Sequence, residues 1–199
     1  MKNLIVIILL VTLISLLVLF CIVTILIIIK KQNKKENRFK KRTNLYNLAF
    51  VDGLTYLFNR NAYNRDIKRL NRKKTENIWF TIFDIDYFKT INDSKGHLFG
   101  DKVLISAADR LCAIFKEKNH TVYRFGGDEF LVISTNICEA DLMTLLTEIR
   151  NAEDICNDFG FSIGYSLVEK NGPESFDIAY DIADKKLYAE KDLKKKHNN

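Results

Sequence analysis

Hydrophobic and polar positions along this chain change character near residue 30. From residue 4 to residue 29 the chain is one apolar run, interrupted only by Thr12, Ser15 and Thr24. At about 1.5 Å of rise per residue, a helix of that length crosses a hydrocarbon layer of about 30 Å. One transmembrane helix is therefore predicted over residues 1–29. A cleaved signal peptide is not expected, because Ile27-Ile28-Ile29-Lys30-Lys31 offers no small-residue cleavage site. Residues 30–46 form a polar linker, expected as a short helical stalk. Residues 47–199 suffice for one domain.

Inside that domain the period alternates between that of helices and that of strands. Helices are predicted near residues 59–72, 101–115, 139–155 and 176–192, and strands near 78–83, 121–125, 130–134 and 161–168. In the second helix Leu104, Ala107, Leu111, Ile114 and Phe115 fall on one stripe, which reads as core. Phe88 and Phe125 also read as core. The domain is therefore of the α/β class, and no internal repeat is present.

Charge sharpens this division. The net charge is +6, yet residues 1–42 alone hold nine basic residues and one acid, so the remainder is slightly acidic. Lys30, Lys31, Lys34, Lys35, Arg38, Lys40, Lys41 and Arg42 follow the apolar run, against Lys2 alone before it. This asymmetry places the C-terminal side in the cytoplasm, as expected for a single-pass protein of the inner or plasma membrane. A basic cluster can attract nucleic acid or anionic lipid; its place beside a membrane span favours lipid, and no nucleic-acid partner is expected. Cys21, Cys112, Cys138 and Cys156 have neither zinc-like spacing nor close pairing, which fits reduced thiols. No Gly-x-x-x-x-Gly-Lys-Ser/Thr run exists, so a P-loop NTPase is not supported.

The most informative chemistry lies in Tyr123-Arg124-Phe125-Gly126-Gly127-Asp128-Glu129-Phe130. Two glycines between strands read as a two-residue Gly-Gly hairpin loop that lets a ligand approach the backbone. Alone, such a loop is equally a solvated turn. A second cluster, Asp84-Ile85-Asp86-Tyr87-Phe88-Lys89, follows the 78–83 strand and sets Asp84 at its end. Asp84 and Asp128 together would supply the hard oxygens that Mg²⁺ takes alongside substrate phosphates.

These residues resemble the GGDEF family, the diguanylate cyclases, which join two GTP molecules into cyclic di-GMP. Residues 52–60, Asp52-Gly53-Leu54-Thr55-Tyr56-Leu57-Phe58-Asn59-Arg60, resemble the family's opening motif, and Asp86, Phe88, Lys89, Asn92, Asp93, Gly96, His97, Gly100 and Asp101 follow the pattern of its metal and guanine segment. Phe161-Ser162-Ile163-Gly164 and residues 183–191 resemble its closing strand and helix. The resemblance covers roughly residues 45–191.

It implies a palm-like α+β fold of the nucleotide-cyclase and polymerase type, with a mostly antiparallel sheet flanked by helices. It also implies a cyclase that acts as a homodimer on GTP with Mg²⁺ or Mn²⁺, which the apolar run at residues 4–29 would anchor to the membrane. Carried over by position, Asp84, Ile85 (through its carbonyl), Asp128 and Glu129 are the metal residues. Asp128, Glu129, Lys89 and Lys191 are catalytic, the lysines neutralising phosphate charge. Asn92, His97, Asp101, Gly126 and Gly127 bind substrate, with Asn92 and Asp101 on guanine. Read without the resemblance, His97 is a cap or surface residue, Asn92 or Asp93 a helix cap, and each lysine a solvated one.

Three motifs depart from the family pattern. Glu117 and His120 stand where many members carry the Arg-x-x-Asp product-inhibition site, so that inhibition is expected to be absent. Asn61 replaces a common second arginine, and Lys194-Lys195-Lys196 replaces the usual Gly-Arg-Asn ending. Two alternatives stay open: a non-catalytic GGDEF-like protein that binds GTP and signals by contact, and a related enzyme making another cyclic dinucleotide.

Overall fold

The computed structural model describes residues 2–72, 76–152, 159–169 and 175–197. Two units are distinguished, Met1–Tyr46 and Asn47–Asn199. Helix α1 (Lys2–Phe50) takes in the whole linker and exceeds the short stalk expected there. No proline interrupts the linker. Among the described residues no helix is long and apolar enough to cross a membrane. Most side chains of the 4–29 run lie outside the described residues.

The second unit is built on a five-stranded sheet in the order β1-β3-β4-β2-β5: β1 (Phe58–Asn59), β2 (Trp79–Ile85), β3 (His120–Gly126), β4 (Glu129–Ser134) and β5 (Phe161–Leu167). Three of its four pairings are antiparallel, as expected. The fourth, β1 beside β3, is parallel and makes the sheet mixed. At two residues, β1 is too short to leave a period in the sequence. Its neighbour α2 (Arg60–Asn71) starts one residue later than predicted, because Asn59 is its cap and accepts from the N–H groups of Asn61 and Ala62 at 2.9 and 3.2 Å.

Side-chain alternation divides the core in two. From β2, Trp79, Phe83 and Ile85 join Val103, Leu104, Ala107 and Leu111 of α4 (His97–Ile114) and Leu142, Leu146 and Ile149 of α5 (Glu139–Asn151). The intervening Phe80 and Ile82 join Ala62 and Tyr63 of α2 and Ala179, Ala183 and Leu187 of α6 (Ser175–His197). The 104–115 stripe is core, as expected, with Ile114 partly buried against it. Phe88 and Phe125 are likewise partly buried against the two clusters. Helix α5 ends at Asn151, before the predicted 155, and residues 153–158 lie outside the description. Cys112 and Cys138 are free thiols; Cys21 and Cys156 fall outside the described side chains.

This alternation positions the acids. Asp84 shares the face of Phe80 and Ile82, four and two residues before it, and therefore faces the helix that carries Leu187. One helical turn after Leu187, Lys191 meets it. Gly164 on β5 lies against the same helix so closely that a Cβ built on it would stand 1.9 Å from the Ala183 carbonyl oxygen.

Candidate active site

The acids gather where β2 ends and the β3–β4 hairpin turns. Asp84 is directly opposite Glu129 in the ladder, and the Ile85 N–H donates to the Asp128 carbonyl at 3.4 Å. The hairpin differs from the expected Gly-Gly loop. Gly126 pairs with Glu129, after a register shift between Arg124 and Gly126, so the two turn residues are Gly127 and Asp128. Only Gly127 has a positive φ there, 55°, as a hairpin turn with glycine in its first central position requires. The slip puts Asp128 in the turn itself and Glu129 at the start of a strand.

Arg124 fixes that turn. Its guanidinium donates to the Gly127 carbonyl through Nε at 3.1 Å and Nη2 at 2.8 Å, and to Asp52 Oδ1 through Nη1 at 2.9 Å. Burial works to raise the Asp52 carboxyl, but hydrogen bonds from Thr55 and Arg124 outweigh it and hold it below the ordinary carboxylate range. Thus the opening motif, read only as part of a family pattern, braces the β3–β4 hairpin through Asp52, 72 residues away from Arg124.

A cleft of about 220 Å³ is lined by Asp84, Ile85, Lys89, Asp128 and Lys191, together with Asp86, Tyr87, Phe88, Lys194 and Lys195. Five of the residues named from sequence thus share one cleft. Lys191 Nζ lies 2.6 Å from Asp84 Oδ2. Burial pushes the Asp84 carboxyl above the ordinary range, opposed by Lys191 and reinforced by Asp128 and Asp86. Burial raises Glu129 in the same direction, with Asp84 and Asp128 adding to it. Closely set carboxylates that resist ionisation together are a site where an added cation is stabilised.

Glu129 is beside this cleft through its ladder partner and does not line it. Among the described residues no three His, Cys, Asp or Glu side chains are grouped closely enough to hold a metal ion. The acids therefore form a partial donor set. That set still suits Mg²⁺, which binds through one or two carboxylates and completes its shell with water and substrate phosphates.

Asn92, His97 and Asp101 do not line this cleft. Asn92 belongs to α3 (Phe88–Lys95), while His97 and Asp101 lie in the first turns of α4; Gly96, at φ 82°, joins the two helices. The capping alternative does not hold for Asn92 or Asp93, because Gly96 caps α4 and no side chain bonds there. A Cβ placed on Gly100 would lie 1.9 Å from Asn92 Oδ1, so the absence of a side chain at 100 makes room for this amide. Gly126 and Gly127 are exposed on the hairpin.

Sequence reasoning missed Asp86, Lys194 and Lys195 as neighbours of the site. Asp86 was visible only as a pattern match, and the three lysines only as a departure from a motif. Arg124 was visible as a charged residue among strand formers, a signal that points to a specific partner.

The family model for the diguanylate cyclase, GGDEF domain, matches residues 49–197. Over 152 residues the chain is 36% identical to the probable diguanylate cyclase DgcI of Escherichia coli, covering 76% of this chain and 33% of that protein. It is 32% identical over 154 residues to the diguanylate cyclase VdcA of Vibrio cholerae, covering 73% and 45%. The chain therefore spans less than half the length of these relatives. Among solved structures, the coiled coil and GGDEF domain of DgcB from Caulobacter crescentus, in complex with c-di-GMP, superposes with a TM-score of 0.72 at 26% identity, covering 81% of this chain and 91% of that one. The GGDEF domain of DgcB alone, also with c-di-GMP, gives 0.64 at 29% identity, covering 72% and 88%.

Proposed function

The chain belongs to the GGDEF, diguanylate cyclase, family, and we propose that it condenses two GTP molecules into cyclic di-GMP, releasing two pyrophosphates. The observation that carries this reading is the meeting of Asp84, Asp128, Lys89 and Lys191 at one cleft. Relatives at 32–36% identity that are named as diguanylate cyclases support it.

Asp84 and Asp128, with the Ile85 carbonyl, would hold Mg²⁺ or Mn²⁺, and Glu129 adds negative charge beside them. When bound, such an ion favours ionisation of an attacking hydroxyl and stabilises the oxygen that leaves phosphorus. The chain's own residues do the rest. Lys89 and Lys191 place compact positive charges against the triphosphate, where charge develops as pyrophosphate departs. Lys191 moves from Asp84 to phosphate as substrate enters. Asn92 donates its amide to the guanine carbonyl and Asp101 accepts from guanine N–H groups. Each domain holds one GTP, so ring closure requires two domains face to face, and activity depends on a homodimer.

Membrane attachment is proposed from the 4–29 apolar run, and a cytoplasmic domain from the basic cluster that follows it. Absence of product inhibition is proposed from Glu117 and His120. An acid at 117 cannot clamp a phosphate as a guanidinium does. The His120 ring is turned toward Ser134, with Nδ1 2.8 Å from Oγ, and lies edge-on to Phe115.

Chromatography of nucleotides after incubating the detergent-purified full chain with GTP, ATP and Mg²⁺ tests the reading. The expected product is cyclic di-GMP from GTP, accumulating without slowing as it builds up. Absence of product from a dimeric protein that binds GTP would overturn it in favour of the non-catalytic alternative. A cyclic dinucleotide containing adenine would instead overturn the guanine assignment.

Substitution at Gly100 gives a finer check. Gly100→Ala must displace the Asn92 amide, and loss of one good hydrogen bond to the base, about 1.4 kcal/mol, corresponds to about tenfold. Steady-state kinetics should show KM for GTP rising by that factor with kcat little changed. An unaltered KM would remove Asn92 from base recognition.

A further inference from the structure

Lys194 stands where the usual Gly-Arg-Asn ending has no side chain, and here that side chain is fully engaged. Its ammonium donates to Asp86 Oδ2 at 2.7 Å and to the Phe161 carbonyl at 2.6 Å, and it pairs with Glu190 Oε1 at 3.1 Å. An ammonium has three protons, and these acceptors match them in number. They come from the end of β2, the start of β5 and α6 itself.

Each acceptor is itself held. Ser162 Oγ donates to Asp86 Oδ1 at 2.5 Å, and the Asp86 N–H donates to the Gly160 carbonyl at 2.9 Å. Glu190 receives both terminal nitrogens of Arg150 on α5, at 2.7 and 2.9 Å. Burial works to raise the Glu190 carboxyl, but the bonds from Arg150 and Lys194 prevail and hold it below the ordinary range. The result is one polar network joining α5, α6, β5 and the residue after β2, of which Asp86 and Lys194 line the cleft.

The residue at the centre of this network adjoins a turn with a positive φ. Asp86 lies between Ile85, whose carbonyl is the proposed metal contact, and Tyr87, a non-glycine residue at φ 56°. Such a conformation persists only when the surroundings fix it. Lys89 follows two residues later, in the first turn of α3.

We infer that Lys194 is a positioning residue that, through Asp86, locks the turn at residues 85–89 so that the Ile85 carbonyl and Lys89 meet the metal and triphosphate together. Lys194 does not itself touch phosphate; Lys195, exposed on the same cleft, is placed to do so. The identity of the ligand rests on the cyclase reading above, whereas the positioning role rests on the network alone.

The test is Mn²⁺ binding to the detergent-purified full chain with an α,β-methylene analogue of GTP, followed by the loss of the free-ion spectrum in electron paramagnetic resonance. Supporting residues around a metal site change affinity by about tenfold or more when removed. Lys194→Met should weaken Mn²⁺ binding about tenfold. Lys194→Arg, which keeps a charged donor for Asp86, should stay within about twofold of the parent. Melting temperatures of the two variants should agree closely.

Unchanged Mn²⁺ affinity in Lys194→Met would overturn the inference. Equal weakening in both variants would also overturn it, because the donor to Asp86 would then not be what matters. A parent protein that binds Mn²⁺ and the analogue, shows the expected split between variants, and yet makes no cyclic dinucleotide would sink the cyclase reading while leaving the positioning role intact.

Discussion

Asp128→Ala and Asp84→Ala are each expected to reduce cyclic di-GMP synthesis on the order of a thousandfold, the scale of losing a principal electrostatic contribution to a transition state. One acid comes from the end of β2 and the other from the β3–β4 turn, and both line one cleft, so each substitution removes half of the donor pair. Glu129 cannot substitute, since its side chain starts from a strand position opposite Asp84 and not from the turn. Neither change should unfold the domain. Asp84 is disfavoured as an ion by burial and by Asp128 and Asp86. Its partner Lys191 is 31% exposed and can return to water when the carboxylate is gone. Product chromatography alongside thermal melting decides the matter. Either variant retaining more than about a tenth of parental turnover would contradict the metal assignment, as the expected loss is of a far larger order.

Gly164→Ala is expected to destabilise the domain by about 3 kcal/mol, the upper part of the usual range for overpacking. The added methyl carbon would lie 1.9 Å from the Ala183 carbonyl oxygen, 2.8 Å from its carbon and 2.8 Å from the Leu187 nitrogen. All three are backbone atoms of α6 and cannot step aside as the tip of a long side chain would. The helix must move away from β5, which carries Lys191 away from Asp84. For a domain of this size, about 3 kcal/mol lowers the melting temperature by roughly 6–12 °C. Gly53→Ala is the control. Its Cβ would meet nothing within 4 Å, and its effect should stay within about 0.5 kcal/mol. Equal melting temperatures for the two variants would show that the β5–α6 contact is looser than the structure has it.

These expectations separate what could be read along the chain from what could not. All the domain's helices except α3, four of the five strands and the principal acids follow from short-range patterns. Period 2 or 3.6 marks an element that buries one face, and Asp84 at the end of an apolar strand is conspicuous without any knowledge of its neighbours. Strand β1 escaped because two residues carry no period, and its parallel pairing with β3 depends on a contact between segments far apart in sequence. The hairpin was legible as a hairpin but not in its register. Two consecutive glycines allow either a Gly-Gly or a Gly-Asp turn, and the bulge after Arg124 selects the second.

Short-range pattern alone was thus enough for the class of the domain, the family it resembles, and the acids and lysines proposed for the chemistry, because those depend on local periodicity and on motifs spaced along one segment. The tertiary structure alone decided that Lys191 lies on Asp84, that Arg124 ties the turn to Asp52, and that Lys194 reaches back to Asp86 across 108 positions. Each of these joins charges from elements that meet only after the sheet has ordered its strands. No period or spacing along the chain encodes which lysine of a run will face a carboxylate; the direction of one helix across one strand does.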